Sequence, residues 1–151
     1  MKKLIIVLGV AAAALIYGPA GVAKEPEKGK LKEVIYASAE SATYAEAAPG
    51  ISIAAIWGDR EKGAHGTFTK FVPGQDNGMH THTNDLWLVV LKGAYLYKDD
   101  AGEKRVGPGE FLRIPGGHKH WSGGDKTEGA LFYEESPGKF DLKVEDQKGK
   151  K

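Results

Sequence analysis

The sequence predicts an all-β domain, a single antiparallel barrel or sandwich. Three observations carry that expectation. Short runs rich in β-branched and aromatic residues recur along the chain, each stopped by Gly, Pro or Asp. One of them, Leu86 to Leu91, is a continuous apolar run, as a strand buried on both faces should be. No long stretch repeats its apolar residues at the helical period, and no second domain is marked.

In chain order, Lys2-Lys3 is a short basic region and Leu4 to Ile16 an apolar one, followed by small residues at Gly21-Val22-Ala23. Residues 1–23 therefore read as a cleavable signal peptide, because the apolar run is shorter than the roughly 20 residues a membrane span needs. Residues 24–31, charged and carrying Pro26 and Gly29, read as a flexible leader. A barrel domain is expected over residues 32–144 and a charged tail over 145–151. Lys32 to Ala37 offers a first strand with Val34 and Tyr36 on one face. Ser38 to Ala48, rich in alanine and glutamate, suggests a helical turn or two, ended by Pro49-Gly50. Ile51 to Trp57 and Thr67 to Val72 read as strands, closed by Gly58-Asp59 and Pro73-Gly74. Tyr95 to Tyr97 and Lys104 to Val106 flank Asp99-Asp100-Ala101-Gly102, a hairpin signal. Pro108-Gly109 signals a type II turn before the strand Phe111 to Ile114. Gly129 to Glu134 and Phe140 to Val144 supply the last two. Leu88, Val90, Phe111 and Ile114 are the expected buried side chains.

Composition narrows the function classes. The 151 residues carry a formal net charge of +1, which becomes −1 once Lys2 and Lys3 leave with the signal peptide. Such a chain has no electrostatic footprint for nucleic acid. After cleavage nothing remains for stable membrane insertion, and the protein is expected to be periplasmic or secreted. It contains no cysteine, so neither a disulfide nor a thiolate metal ligand is available.

The chemistry-bearing feature is histidine. Four of the five histidines fall in two clusters, His80-Thr81-His82 and His118-Lys119-His120, on segments that read as strands. Side chains at i and i+2 of a strand share a face. Neutral imidazole is the commonest protein ligand of divalent transition metals, and two or three converging imidazoles make a site.

The spacing around these clusters carries a family resemblance. Gly74, five residues, His80-x-His82, then Leu86 and six residues to Gly93 resembles the first motif of the cupin superfamily. Gly109, five residues, Pro115-x-Gly117, two residues, His120 resembles the second. The resemblance implies an antiparallel jelly-roll barrel (a double-stranded β-helix), a homodimer, and a divalent metal held inside the barrel by His80, His82 and His120. Text from Trp57-Gly58-Asp59 to Gly138-Lys139-Phe140-Asp141 also resembles a poorly characterised subfamily of exported cupins. The pattern departs at two places. Leu86 stands where the fourth, glutamate ligand is expected, and Gly124 where an asparagine is expected.

Three outcomes stay open. A three-histidine site can be completed by water, as in the cupin subgroup that includes thiol dioxygenases. Asp85, or Asn84, can supply an oxygen if a bulge rotates its segment. Or the barrel binds an organic ligand without metal. The metal is one of iron, manganese, zinc, nickel or copper. His118, Trp87, Trp121 and Glu134 are candidates for the pocket or the shell around the ligands, and Glu134 or Glu135 is the candidate acid or base. His65, between Gly63 and Gly66, is expected in a surface loop. The functional expectation is an exported metal-dependent enzyme of dioxygenase or isomerase type acting on a small, anionic molecule. The alternatives are a non-catalytic metal or small-ligand binding or sensing module, and a structural protein with a relic site.

Overall fold

The computed structural model describes residues 34–144. The signal-peptide, leader and tail segments expected above lie outside the described residues. So do Lys32 and Glu33.

Eleven strands form the described part: β1 (Ala45–Ala48), β2 (Ile51–Gly58), β3 (His65–Phe71), β4 (Asp76–Thr81), β5 (Leu86–Gly93), β6 (Tyr95–Asp99), β7 (Gly102–Val106), β8 (Phe111–Ile114), β9 (His120–Gly124), β10 (Ala130–Ser136) and β11 (Lys143–Val144). They make two antiparallel sheets. One runs β1-β2-β3-β10-β5-β8 and the other β11-β4-β9-β6-β7. The double-sheet, all-β jelly roll is the expected fold. Among the described residues no helix is long and apolar enough to cross a membrane.

The sheets enclose a core of Leu86, Leu88, Val90, Ile114, Phe132 and their aromatic neighbours. Phe132 is packed edge-on against both Phe71 and Tyr95, at 5.0 and 5.2 Å between centroids, a geometry that aligns ring edges with ring faces. Moving along β10 from Phe132, the inward positions become Glu134 and Ser136. Opposite them on β3 lie Thr67 and His65. One end of the interior is therefore apolar and the other polar.

Several expectations are corrected. The β5 run is not buried on both faces: Leu86, Leu88 and Val90 are buried while Leu91 is 42% exposed. An antiparallel sheet covered on one side needs only every second residue inside. Phe111 is 62% exposed, on the outer face beside Trp87, Val89 and Tyr133. Val34 to Ala37 is outside any strand, with Val34 and Tyr36 exposed. The stretch from Ser38 to Ala48 forms a turn and then β1 instead of helix. Its alanines carry too little apolar surface to hold a helix against a core. His65 is not in a surface loop. It opens β3 at 1% exposure.

Candidate metal centre

Two strands and one strap place three imidazoles together. His80, on β4, is the cross-strand Cα partner of His120, the first residue of β9. His82 follows two residues after His80, so its side chain returns to the same face. Their ring centroids are 4.3 Å apart for His80 and His120, 4.9 Å for His80 and His82, and 5.4 Å for His82 and His120. One ring nitrogen of each lies within 4.8 Å of those of the others, close enough for a shared ion. All three residues are buried.

The local backbone decides which nitrogen is free. His80 Nδ1 donates to the Gly78 carbonyl at 2.8 Å, His120 Nδ1 to the His118 carbonyl at 3.0 Å, and His82 Nδ1 to the Asp141 carbonyl at 2.5 Å. A carbonyl can only accept, so each Nδ1 carries the proton and each Nε2 keeps its lone pair. The β4 strand bulges between Asp76 and Met79. Gly78 takes φ +67° there, a left-handed conformation that glycine adopts without a steric penalty. That bulge aims the Gly78 carbonyl back at His80. The Asp76 carboxylate accepts from the Gly78 amide at 2.8 Å and from Trp121 Nε1 at 2.7 Å.

Burial keeps these rings neutral. It lowers His80 from its ordinary value and takes His82 and His120 to about 4, against the smaller upward pull of each Nδ1 hydrogen bond. His120 Nε2 is buried with no hydrogen-bond partner among the described residues. An orphaned acceptor in a dry site is costly unless a ligand takes its lone pair. Neutral imidazoles, Nδ1 anchored on carbonyls and Nε2 free, are the donor set that a divalent transition metal takes. The residues fit a metal.

Other candidates fall in different places. Asp85 stands apart from the three histidines. Its carboxylate accepts from Arg113 at 3.0 and 2.7 Å and from the Gly116 amide at 2.9 Å, pinning the turn that leads to His120. His118 sits on the rim, where its Nε2 meets Asp99 Oδ2 at 3.0 Å. The same oxygen accepts from Tyr97 at 2.8 Å, and the Tyr97 ring stacks on His120 at 5.5 Å. These hydrogen bonds, Tyr97 first, hold the Asp99 carboxyl down to about 2. The His118 side chain thus reaches His120 through two intermediaries, while its carbonyl holds His120 Nδ1 directly. Trp87 and Trp121 face away from the histidines. Trp87 lies on the outer face of the larger sheet, and Trp121 in a surface groove with Met79 and Leu96.

Glu134 points inside. It lines a cavity of about 280 Å³ with His80, His82, Phe71, Leu86 and Phe140. Burial pushes its carboxyl up to about 7, with Arg60 pulling weakly the other way. Glu135, its neighbour, accepts from Tyr133 on the other face.

Sequence reasoning missed two contributors. Asp141 holds His82 by its carbonyl, and its carboxylate accepts from the Thr83 amide and hydroxyl at 2.7 and 2.5 Å. Arg60 shares the cavity and sits 3.5 Å over the Phe140 ring. The Gly138-Lys139-Phe140-Asp141 text, which carries part of the subfamily resemblance, was the available signal for the first. No sequence signal marks the second.

Comparison with known proteins agrees with this architecture. The family model described as a cupin domain matches residues 67–134, which span both histidine segments. The chain thus carries a cupin-domain match over residues 67–134 on a cupin-like jelly-roll fold. None of the curated proteins matches it in sequence. Among solved structures, KdgF from Halomonas sp. superposes with a TM-score of 0.57 at 19% identity, covering 70% of this chain and 94% of that one. The polyketide cyclase RemF from Streptomyces resistomycificus gives 0.60 at 16% identity, covering 74% and 85%. An RmlC-like cupin from Shewanella frigidimarina gives 0.56 at 18% identity, covering 70% and 92%. At these identities the likeness is one of fold.

Proposed function

We propose that this cupin binds one divalent transition metal (iron, manganese, zinc, nickel or copper) through His80, His82 and His120, and acts as a metal-dependent enzyme on a small molecule held in the adjoining cavity. The convergence of three Nε2 lone pairs, each fixed by an Nδ1 hydrogen bond to a carbonyl, carries this reading. Water would complete the metal's shell, since the Asp85 carboxylate is engaged by Arg113 and Gly116. A divalent ion there would supply a Lewis acid whose charge the neutral imidazoles leave uncompensated.

The chain's own groups do the rest. Ile51, Ile53, Phe71 and Leu86 wall the cavity and exclude water. Glu134, with its proton poised near neutral pH, holds or delivers a proton to a bound molecule. That RemF is a polyketide cyclase supports a small-molecule substrate for this barrel. Metal analysis of the full chain from its native host, beside the triple alanine variant at the three histidines, tests the metal claim. Equal metal in both would refute it.

A binding or sensing module without turnover is the second reading, favoured by the cavity having a single carboxylate among its described lining residues. Glu134→Gln separates the two. An enzyme loses turnover of a substrate found by screening, whereas a module shows no turnover to lose. We also propose export with removal of residues 1–23, and a homodimer. Intact mass should start at Lys24, and light scattering should return twice the chain mass.

A further inference from the structure

We propose that Arg60 anchors the carboxylate of the molecule this cavity takes, which makes the ligand a small monocarboxylic acid with an apolar body. The inference rests on the small-molecule reading of the same cavity and deepens it.

Arg60 follows β2 in the turn that the Lys62 and Gly63 amides close onto the Asp59 carbonyl. Its own carbonyl accepts from the Phe140 amide at 2.9 Å, while its guanidinium carbon lies over the Phe140 ring, 3.5 Å from the centroid. Phe140 in turn packs against His82, 5.2 Å between centroids. The Phe140 ring thereby supports the guanidinium through a cation–π contact.

The in-plane donors are left over. Arg60 Nε is buried without a hydrogen-bond partner among the described residues. The one ion pair Arg60 makes among them is with Glu61 at 3.7 Å, and that carboxylate is 79% exposed, so water screens it. Glu134 lines the same cavity but forms no ion pair with Arg60 among the described residues. Burial pushes Glu134 up to about 7, so at neutral pH it offsets Arg60 only in part. Arg60 stays charged although burial lowers it from its ordinary value.

An unsatisfied buried Nε on a partly buried guanidinium is costly, and a planar oxyanion bound along that edge relieves it. Arg60 is the single Lys or Arg among the described lining residues, which matches a monoanion better than a phosphate dianion. The walls opposite are Ile51, Ile53, Phe71 and Leu86. They take the apolar body. A cavity of about 280 Å³ stands at the small end for ligand pockets.

Calorimetric titration of the full chain, zinc-loaded and after EDTA treatment, tests this with butyrate and benzoate against butyramide and benzamide. The acids should bind about tenfold or more tightly than their amides in both preparations, as a charged hydrogen-bonded pair implies. Arg60→Gln should abolish that preference and Arg60→Lys retain part of it, both with unchanged zinc content. Should Arg60→Gln fail to fold, Arg60→Lys decides: a preference undiminished by losing the fork overturns the proposal. An acid preference that survives Arg60→Gln also overturns it, as does a parent chain that binds neither acid. Tighter binding of phenyl phosphate than of benzoate overturns the carboxylate assignment. A preference that vanishes with EDTA and ignores Arg60 puts the acid on the metal, sinking this inference and sparing the metal reading. A parent without zinc that keeps an Arg60-dependent preference does the reverse.

Discussion

His80 and His120 are Cα partners across the β4–β9 pair, with their ring centroids 4.3 Å apart. The sheet's own hydrogen bonds therefore set the separation of two ligands before any metal arrives. His82 differs, because it lies one residue beyond β4 and is held by the carbonyl of Asp141. The site combines two positions built into a sheet with a third tied to a C-terminal strap.

Removing the third ligand should empty the site. His82→Ala is expected to lose most bound metal and the stabilisation metal confers, about 2.7 kcal/mol at a hundredfold excess over Kd. His65→Ala should behave differently from a surface substitution, because His65 is buried at the start of β3. It should lower the melting temperature yet keep its metal, read by elemental analysis and a thermal scan of both variants.

Asp141 should matter without being a ligand. Asp141→Ala deletes the carboxylate that fixes the strap on Thr83, so the carbonyl facing His82 loses its position. Metal affinity should fall by about 10- to 100-fold, as for other groups that orient ligating histidines. A competition titration with a chromophoric chelator measures it, and an unchanged Kd would contradict the argument.

Asp85→Asn separates a carboxylate ligand from a turn clamp. Its charge is engaged by Arg113 and the Gly116 amide, both of which hold the carboxyl below its usual range. The variant should bind metal like the parent while the Pro115 turn exchanges its amide protons faster. A large loss of metal would return Asp85 to the shell.

Glu134 makes a stability prediction with a defined sign. Its carboxyl has a folded value of about 7 against an ordinary 4.5, so between those values the unfolded chain gives up a proton that the folded chain keeps. Folded stability therefore declines as pH rises through this window. Glu134→Gln should be the more stable chain above about pH 7, by up to roughly 3 kcal/mol given about 1.4 kcal/mol per unit. The gap should close near pH 4. Urea midpoints of both chains across this range provide the check.

The histidines act in the opposite sense in the metal-free chain. His82 and His120 fall from 6.5 to about 4 on folding, so the unfolded chain binds protons there first. Stability should drop as pH falls through that interval and level off below it. The Glu134→Gln background isolates this effect. A flat urea midpoint from about pH 7 to pH 4 would contradict the depressed values.

Much of the architecture was legible because turn residues and strand periodicity are local properties. Pro73-Gly74, Pro108-Gly109 and Pro115-Gly116-Gly117 mark strand ends whatever the strands pair with. The i, i+2 spacing of His80 and His82 puts both on one face by geometry alone. Other readings failed where pairing decides the outcome. An apolar run such as Leu86 to Leu91 is compatible with one covered face or two, and only the neighbours of β5 choose. Phe111 is apolar, yet parity on β8 turns it outward while Ile114 goes in.

The sequence by itself determined an all-β chain with turns at its Pro-Gly sites and two histidine segments of metal-ligand character, since backbone preference and side-chain parity need no partner. Only the tertiary structure decided that Asp141 locks the tautomer of His82 from 59 residues away, that His65 is buried, and that Arg60 faces Glu134's cavity from beneath no strand of its own. Those contacts join segments far apart in the chain. Their formation depends on which strands close the barrel, a choice made by the summed burial of the whole core and carried by no single stretch of residues.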